Sequence, residues 1–343
     1  MPPHFNGRVR VMNQHLMTLL ADGQFHSGEA LGQALGISRA AVWKQLQKLE
    51  DMNVPLHSVK GKGYRLPEAV ELLDREALAQ AGFPFAAFDA VDLFLSLDST
   101  NDELMRRAGL LEGRPSKQIC FAEMQTSGRG RRGRQWVSPF ARNLYFSILW
   151  PFDGIAKLQG LSLAVGLAVQ RALVEMNVKG VGLKWPNDVL IQGEHKLGGI
   201  LIELTGVVTD ACQVVIGMGL NLDWRAQDQA RIDQNAIGLA QVLGQKSVVG
   251  MRNAVTAKVI EHITQMLERF TVDGFAPLKD EWNSANAFDG KSVSLILPSS
   301  SVRGICRGVN EIGELALETE EGMQYFNAGE VSLREVKDDG ATV

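Results

Sequence analysis

Seven residues, Gly128-Arg-Gly-Arg-Arg-Gly-Arg134, constrain this chain more than any other stretch. Their glycines satisfy Gly-x-Gly-x-x-Gly, the fingerprint of a dinucleotide-binding turn. That turn needs a strand before it and a helix after it. Ile119–Ala122 can be the strand. On the other side the chain reads Trp136-Val-Ser-Pro-Phe140 and then Asn143-Leu-Tyr-Phe-Ser-Ile-Leu-Trp150. Pro139 opposes a helix there, and the second piece is aromatic and β-rich. A Rossmann site is therefore disfavoured, and a merely solvated basic loop is the bland alternative. The segment reads instead as a loop that wraps an anion: arginine brings fixed planar donors, and glycine lets backbone approach a ligand closely.

That loop sits in a chain of 343 residues with a formal charge of −4. The length allows two or three domains. No run reaches the roughly 18 apolar residues of a membrane span, and the start lacks the pattern of a signal peptide. Cys120, Cys212 and Cys306 are odd in number and far apart, so they supply neither a disulfide framework nor a zinc spacing. Each is expected to be a small buried hydrophobe, and a reducing cytoplasm is the expected compartment.

Charge is unevenly spread. Through Arg65 there are eight Lys/Arg against four acids, or +4, which leaves −8 for the remainder. A small basic head on an acidic body points to a nucleic-acid module. Val9 to about Ala21 has a helical apolar face of Met12, Leu16, Leu19 and Leu20. Ser27 is placed to cap Gly28–Leu35, Gly36 to end it, and Ser38 to cap a helix from Arg39 to about Met52. Two short helices around a glycine turn fit a helix-turn-helix. Val54–Leu66 supplies two strands around Lys60-Gly-Lys-Gly63, a basic wing. Ser38, Arg39 and Trp43 are the expected base-edge contacts, and Lys44, Lys48, Lys60 and Lys62 the phosphate contacts. One such module binds weakly, so a dimer on a two-fold site is expected.

Pro67 to about Ala81 reads as a connector ending in a short helix. A mixed central region runs to about Phe288, with strands at Val91–Leu97, Leu144–Leu149, Leu183–Trp185, Gly199–Thr205 and Val214–Leu220. Its helices are expected at about Lys157–Met176 and Val249–Thr271. From Gly290 short strands recur at Val293–Leu297, Arg303–Val309, Leu315–Glu318 and Val331–Glu335, as in a small β-barrel.

Several polar segments lie at the ends of the central strands. Asp98-Ser-Thr-Asn101 can cap a helix or hold a polar head group. Gln125 can bond a ligand amide or face solvent. Lys184-Trp-Pro-Asn-Asp188 makes a rigid polar corner, or a turn with Asn and Asp chemistry. Lys196-Leu-Gly-Gly-Ile200 and Gly217-Met-Gly-Leu-Asn221 place glycines on strands, where ligands approach backbone. Lys184, Lys196, Arg129, Arg131, Arg132 and Arg134 carry more charge than one carboxylate needs. A nucleoside triphosphate plus a carboxylate would use it, and joining the two is adenylation. There is no GxxxxGK[ST], so this is not a P-loop site.

Those five motifs, in this order, resemble those of the biotin protein ligases, and the winged head resembles the bifunctional subclass that is also a biotin operon repressor. The resemblance implies an α+β protein: a winged helix-turn-helix (1–66), a linker (67–80), a class II synthetase-like mixed α/β catalytic domain (81–288) and an SH3-like β-barrel (289–343). It implies that biotin and ATP, with Mg2+, give biotinyl-5'-AMP, and that biotin passes to a lysine of the biotin carboxyl carrier protein. It further implies that the loaded protein dimerises on operator DNA. Under it, Ser99, Thr100, Asn101, Gln125, Arg129, Gly130, Arg131, Lys196, Gly199 and Gly217 hold biotin. Arg129, Arg131, Arg132, Arg134, Lys184, Asn187, Lys196 and Asn221 hold the nucleotide. Lys196, Asp188, Arg131 and Lys184 carry the chemistry, with Asp188 as base for the acceptor lysine. No residue is assigned to a metal. Some relatives have a tryptophan over the adenine in the loop after Asn221. Here that loop reads Asp233-Gln-Asn-Ala-Ile237, with Trp224 nearby. A lipoate ligase and a ligand-sensing repressor without chemistry remain the competing readings.

Overall fold

The computed structural model describes residues 15–154, 158–205, 212–232, 234–329 and 332–336, without the side chains of 205, 226 and 227. The expected first helix begins outside these residues; 15–20 are helical (α1). Ser27 Oγ accepts from Ala30 N at 3.0 Å to start α2 (Gly28–Leu35), and Gly36 ends it at φ 65°. Ser38 Oγ accepts from Ala41 N at 3.2 Å to start α3 (Arg39–Asp51). Both are serine N-caps of the kind that satisfy orphan helix amides. Val42, Leu46 and Leu49 face inward onto Leu16, Met17, Leu20 and Leu31. A two-stranded wing of β1 (His57–Val59) and β2 (Gly63–Arg65) comes next, with His57 opposite Arg65. Gly63 has φ 107°, and a Cβ there would lie 2.0 Å from His26 O, so only glycine fits. Phe140 and Ala141 of the central region complete the core of this head.

After α4 (Arg75–Gln80), capped by Asp74, the chain builds a seven-stranded sheet. Its strands are β3 (Ala90–Phe94), β4 (Gln118–Ala122), β5 (Leu144–Phe152), β6 (Val181–Lys184), β7 (Asp188–Ile191), β8 (His195–Thr205) and β9 (Cys212–Leu220). They lie in the order β3-β4-β5-β9-β8-β7-β6. β3 and β4 are parallel, and every other neighbouring pair is antiparallel. One face packs on α6 (Leu161–Glu175) and α9 (Arg252–Asp273), the other on α5 (Thr100–Leu110). The middle strands β5 and β9 are covered on both faces, which is why they read as unbroken apolar runs.

The structure departs from expectation at several places in this region: the strand expected at Leu183–Trp185 is Val181–Lys184, the one expected from Gly199 begins at His195, and the helix expected from Val249 begins at Arg252. β3 stops at Phe94 rather than Leu97, and Leu97 makes a lone bridge to Gln125. The helix expected from Lys157 begins at Leu161, because Gly160 takes φ 77°; 155–157 lie outside the described residues. Strand β7 has no counterpart among the expected strands.

Short helices α7 (Ala226–Gln229) and α8 (Leu239–Val242) precede α9, and α10 (Lys279–Ala285) succeeds it. The C-terminal strands are β10 (Ser292–Ile296), β11 (Ser301–Val309), β12 (Leu315–Thr319), β13 (Gly322–Phe326) and β14 (Ser332–Glu335). They form an antiparallel sheet in the order β13-β12-β11-β10-β14. Val331, the expected start of the last strand, lies outside the described residues. The inner residues of this sheet join the main core, and Trp185 Nε1 donates to Gly313 O at 3.1 Å across the junction. No described helix is long and apolar enough to cross a membrane. All three cysteines are free and buried.

Candidate active site

A cavity of about 770 Å³ opens between the sheet, the arginine loop and the C-terminal strands. Every residue assigned above to biotin, nucleotide or catalysis lines it.

Its polar end is built at the start of α5. Ser99 caps that helix, accepting from Asp102 N at 3.4 Å, so the capping role is real. The capped turn also places Thr100 and Asn101 in the cavity wall, both nearly inaccessible. Gln125 Oε1 accepts from Thr100 N at 2.8 Å, and its Nε2 donates to Ser138 Oγ at 3.1 Å. Asn101 Oδ1 accepts from Ser147 Oγ at 2.5 Å, and Nδ2 donates to Glu203 Oε2 at 2.7 Å. The side chains are thus held before any ligand arrives, as a recognition pocket requires. Asp98 is occupied elsewhere, paired with Arg106 at 2.8 Å.

Glycines on β8 and β9 form the floor. A Cβ on Gly217 would lie 2.1 Å from Asn101 Oδ1, and one on Gly219 2.3 Å from the Trp136 ring. Trp136 packs closely over Gly219 and Gly199, with Lys196 Nζ 5.3 Å from its ring centre. Trp136 is absent from the sequence-derived candidates; its place directly after the arginine loop is the signal that could have found it.

The arginine loop closes on itself. Gly130 N donates to Arg134 O at 2.7 Å, and Trp136 N to Gly128 O at 2.8 Å. Arg132 and Gly133 take φ 58° and 68° at its tip. Arg129 turns away from the positively charged end and pairs with Asp102 at 2.5 Å and Glu203 at 2.9 Å. Arg131 Nη1 donates to Asn187 Oδ1 at 3.2 Å, and Nη2 to Ala328 O at 2.9 Å and to Gly329 O. It therefore staples the loop to the C-terminal sheet. Burial holds its guanidinium below the ordinary arginine range.

The β6–β7 hairpin supplies the other cations. Lys184 and Asp188 lie opposite each other in its backbone register, and the Trp185–Pro186 peptide is cis. Burial pushes the Lys184 ammonium down to about 8; its Nζ lies 5.1 Å from the Phe288 ring centre. A bulge between Val189 and Leu190 shifts the register of β8, setting Lys196 beside Gly199. Lys196 Nζ is 2.8 Å from Asp188 Oδ1, so the expected base and the expected cation form an ion pair. Asn187 Nδ2 donates to Ile200 O at 2.7 Å.

Asn221 Nδ2 donates to Lys196 O at 3.0 Å, while its Oδ1 is buried without a partner. The indole N–H groups of Trp136 and Trp224 are also buried and unpartnered. All three residues line the cavity, and buried polar atoms of this kind are ordinarily satisfied. Arg334 of β14 lines the same end, held below the usual arginine range by burial and then by Arg134. Nothing local in the sequence singles it out.

The DNA-facing candidates gather elsewhere. Ser38, Arg39, Trp43, Lys44 and Lys48 are exposed at α3, and Lys60 and Lys62 are exposed on the wing. Arg65 and Lys62 flank Phe25, at 4.9 and 5.9 Å from its ring centre.

Comparison with known proteins agrees with this layout. Residues 93–221 match the biotin/lipoate A/B protein ligase family, 12–65 an HTH domain, and 290–334 the biotin protein ligase C terminal domain. The bifunctional ligase/repressor BirA of Escherichia coli is 41% identical over 93% of this chain and 96% of its own. The Bacillus subtilis protein of that name is 29% identical over 91% and 95%. A solved biotin protein ligase from Aquifex aeolicus, in complex with biotin and ATP, is 32% identical, covers 72% of this chain and 100% of that one, and superposes with a TM-score of 0.60. With a helix-turn-helix, a ligase core and a matching C-terminal domain in one chain, this protein belongs to the biotin protein ligases, in their bifunctional ligase/repressor form.

Proposed function

We propose that the cavity joins biotin to AMP and then hands the biotinyl group to a lysine of a biotin carboxyl carrier protein. One observation carries the reading: a prearranged neutral pocket (Thr100, Asn101, Gln125 over a glycine floor) opens directly into a cationic zone (Lys184, Arg131, Arg134, Arg334), with the Lys196–Asp188 pair among the lining residues. In the first step a carboxylate oxygen of biotin attacks the α-phosphorus of ATP, and pyrophosphate leaves. Lys196 neutralises both anions as they meet, while Arg131, Arg132, Arg134 and Lys184 offset charge along the phosphates. Ser99, Thr100, Asn101, Gln125, Gly130, Gly199 and Gly217 shape the biotin side, and Asn187 and Asn221 the nucleotide side. Arg129, held by Asp102 and Glu203, fixes the root of the loop. In the second step the carrier's neutral amine attacks the acyl carbon, AMP leaves, and Asp188 accepts the amine proton.

Magnesium, if carried in with ATP, would offset triphosphate charge and ease the departure of pyrophosphate. Among the described residues no group of three or more His, Cys, Asp or Glu is placed to hold a metal. Asp188, Glu194 and Glu335 are the carboxylates that line the cavity, and Asp188 would be the one to help hold such an ion beside the phosphates.

The same reading divides the chain into a winged head (1–66), a linker (67–80), a class II synthetase-like domain (81–288) and an SH3-like unit (289–343). It makes the loaded protein a cytoplasmic homodimer that represses from operator DNA. Exchange of labelled pyrophosphate into ATP, with biotin and lipoate run in parallel, tests it. Exchange with biotin alone is expected; exchange with lipoate alone, or with neither, overturns it.

A further inference from the structure

Behind the nucleotide end of the cavity lies a group of charges that the reaction does not use. Arg142 is almost fully buried, 2.5 Å from Asp223. Arg225, two residues on from Asp223, adds a second guanidinium to the same turn. Glu68 Oε1 contacts both, meeting Arg142 Nη2 and Arg225 Nη2. Glu68 belongs to the segment leaving the winged head. Burial and then the repulsion of Arg225 depress the Arg142 guanidinium, while Asp223 and the more distant Asp228 raise it. Without Glu68, balancing the two guanidiniums falls to Asp223 and the more distant Asp228, and the repulsion between Arg142 and Arg225 rises.

The same turn is gripped from its other side. Asn143 Oδ1 accepts from Leu222 N at 2.8 Å and Asp223 N at 3.0 Å. Asn143 O accepts from Arg252 Nη2 at 2.9 Å, and Arg252 Nη1 donates to Glu71 O at 2.7 Å. Glu71 Oε2 accepts from Arg252 N at 2.8 Å and Gly250 N at 2.7 Å. Two anchors three residues apart on one exit segment therefore converge on the turn from Leu222 to Arg225. Asn221 immediately precedes that turn and Trp224 lies in it; each has an unpartnered buried polar atom, and both residues line the cavity.

We propose that Glu68, outside the ligase core, is a positioning residue for its nucleotide subsite: by neutralising Arg142 and Arg225 it holds the turn that presents Asn221 and Trp224. The inference rests on the reading of the cavity given above. It makes the exit from the DNA-binding head part of the scaffold that receives ATP.

The test uses the full chain and four proteins: the parent, E68Q, E68D and E68Q/R225Q. Biotin-dependent pyrophosphate exchange gives KM for ATP and for biotin separately. E68Q is expected to raise the ATP KM roughly three- to tenfold, as loss of one partly exposed ion-pair partner does, with biotin KM and kcat nearly unchanged. E68D is expected to recover part of the loss. E68Q/R225Q, which removes the surplus positive charge, is expected to return toward the parent. An unchanged ATP KM in E68Q, a uniform fall in every parameter, or a double variant no better than E68Q would overturn the proposal. If the parent itself shows no biotin-dependent exchange, the reading of the cavity fails instead. Affinity of the same four proteins for a non-hydrolysable ATP analogue then decides the role of Glu68, by the same ranking.

Discussion

Replacing Gly217 by alanine puts a methyl group where the structure has no room for one. Its Cβ would sit 2.1 Å from Asn101 Oδ1, 2.8 Å from Cγ and 2.9 Å from Nδ2. Ordinary contacts of such atoms are about 3.5 Å, so the amide must retreat by roughly an ångström. It cannot do so and keep its partners, because Ser147 and Glu203 hold it at 2.5 and 2.7 Å. Each lost buried hydrogen bond costs about 1–3 kcal/mol. A one-ångström misplacement at a reacting site costs up to about a hundredfold in rate. Gly217→Ala is therefore expected to raise the biotin KM roughly 10- to 100-fold in pyrophosphate exchange while moving the ATP KM little. A melting curve checks that the fold survives, with overpacking expected to cost about 1–3 kcal/mol. A biotin KM equal to that of the parent would refute the assignment of Asn101 and of the glycine floor.

Three further outcomes are expected from the same geometry. Lys184, depressed to about 8 by burial, loses its proton in the free enzyme as pH rises through that value. The unfolded chain keeps that proton to about 10.4, so between the two values it binds more protons and this group adds to stability as pH rises. Attraction for phosphate moves the other way: kcat/KM for ATP is expected to fall through a limb near the pH of about 8 at which Lys184 discharges. Lys184→Arg should abolish the limb, and a parent profile flat from about pH 7 to about 9.5 would contradict the argument. Lys196→Ala should cut adenylate formation by at least about a hundredfold with melting little changed; near-parent turnover would refute its role. Arg252 is wholly buried and 2.5 Å from Glu123. Arg252→Leu leaves a buried carboxylate unpaired and removes the donors to Glu71 O and Asn143 O, so it should cost at least about 3–5 kcal/mol in urea unfolding; a loss below about 1 kcal/mol would contradict this.

Much of this was legible because local chemistry and fold agree. The Ser38 cap and the Val42–Leu46–Leu49 spacing define the third helix of the head without any long-range contact. The buried strands β5 and β9 announce themselves as apolar runs. Strand β7 escaped because its four residues come directly after the Trp-Pro-Asn corner, with no turn signal of their own. β13 escaped because it is an edge strand whose Met323 and Tyr325 are exposed, so it lacks an apolar face. Within the site, each motif could be read where its residues are neighbours in the chain. Their pairings could not: Lys196 on Asp188, Gln125 on Thr100, and Arg131 on the carbonyls of 328 and 329 depend on sheet register and on the seating of the C-terminal strands. Arg334 is the extreme case, since only the packing of β14 brings it to the cavity.

Transfer is the step that separates a ligase from a protein that merely binds biotin and ATP. Incubating the chain with biotin, ATP, magnesium and a biotin carboxyl carrier domain, and weighing that domain by mass spectrometry, tests it directly. The account predicts the gain of one biotinyl group on a single carrier lysine, dependent on ATP and lost in Lys196→Ala. A carrier domain of unchanged mass, with the parent protein folded and both substrates present, would contradict it.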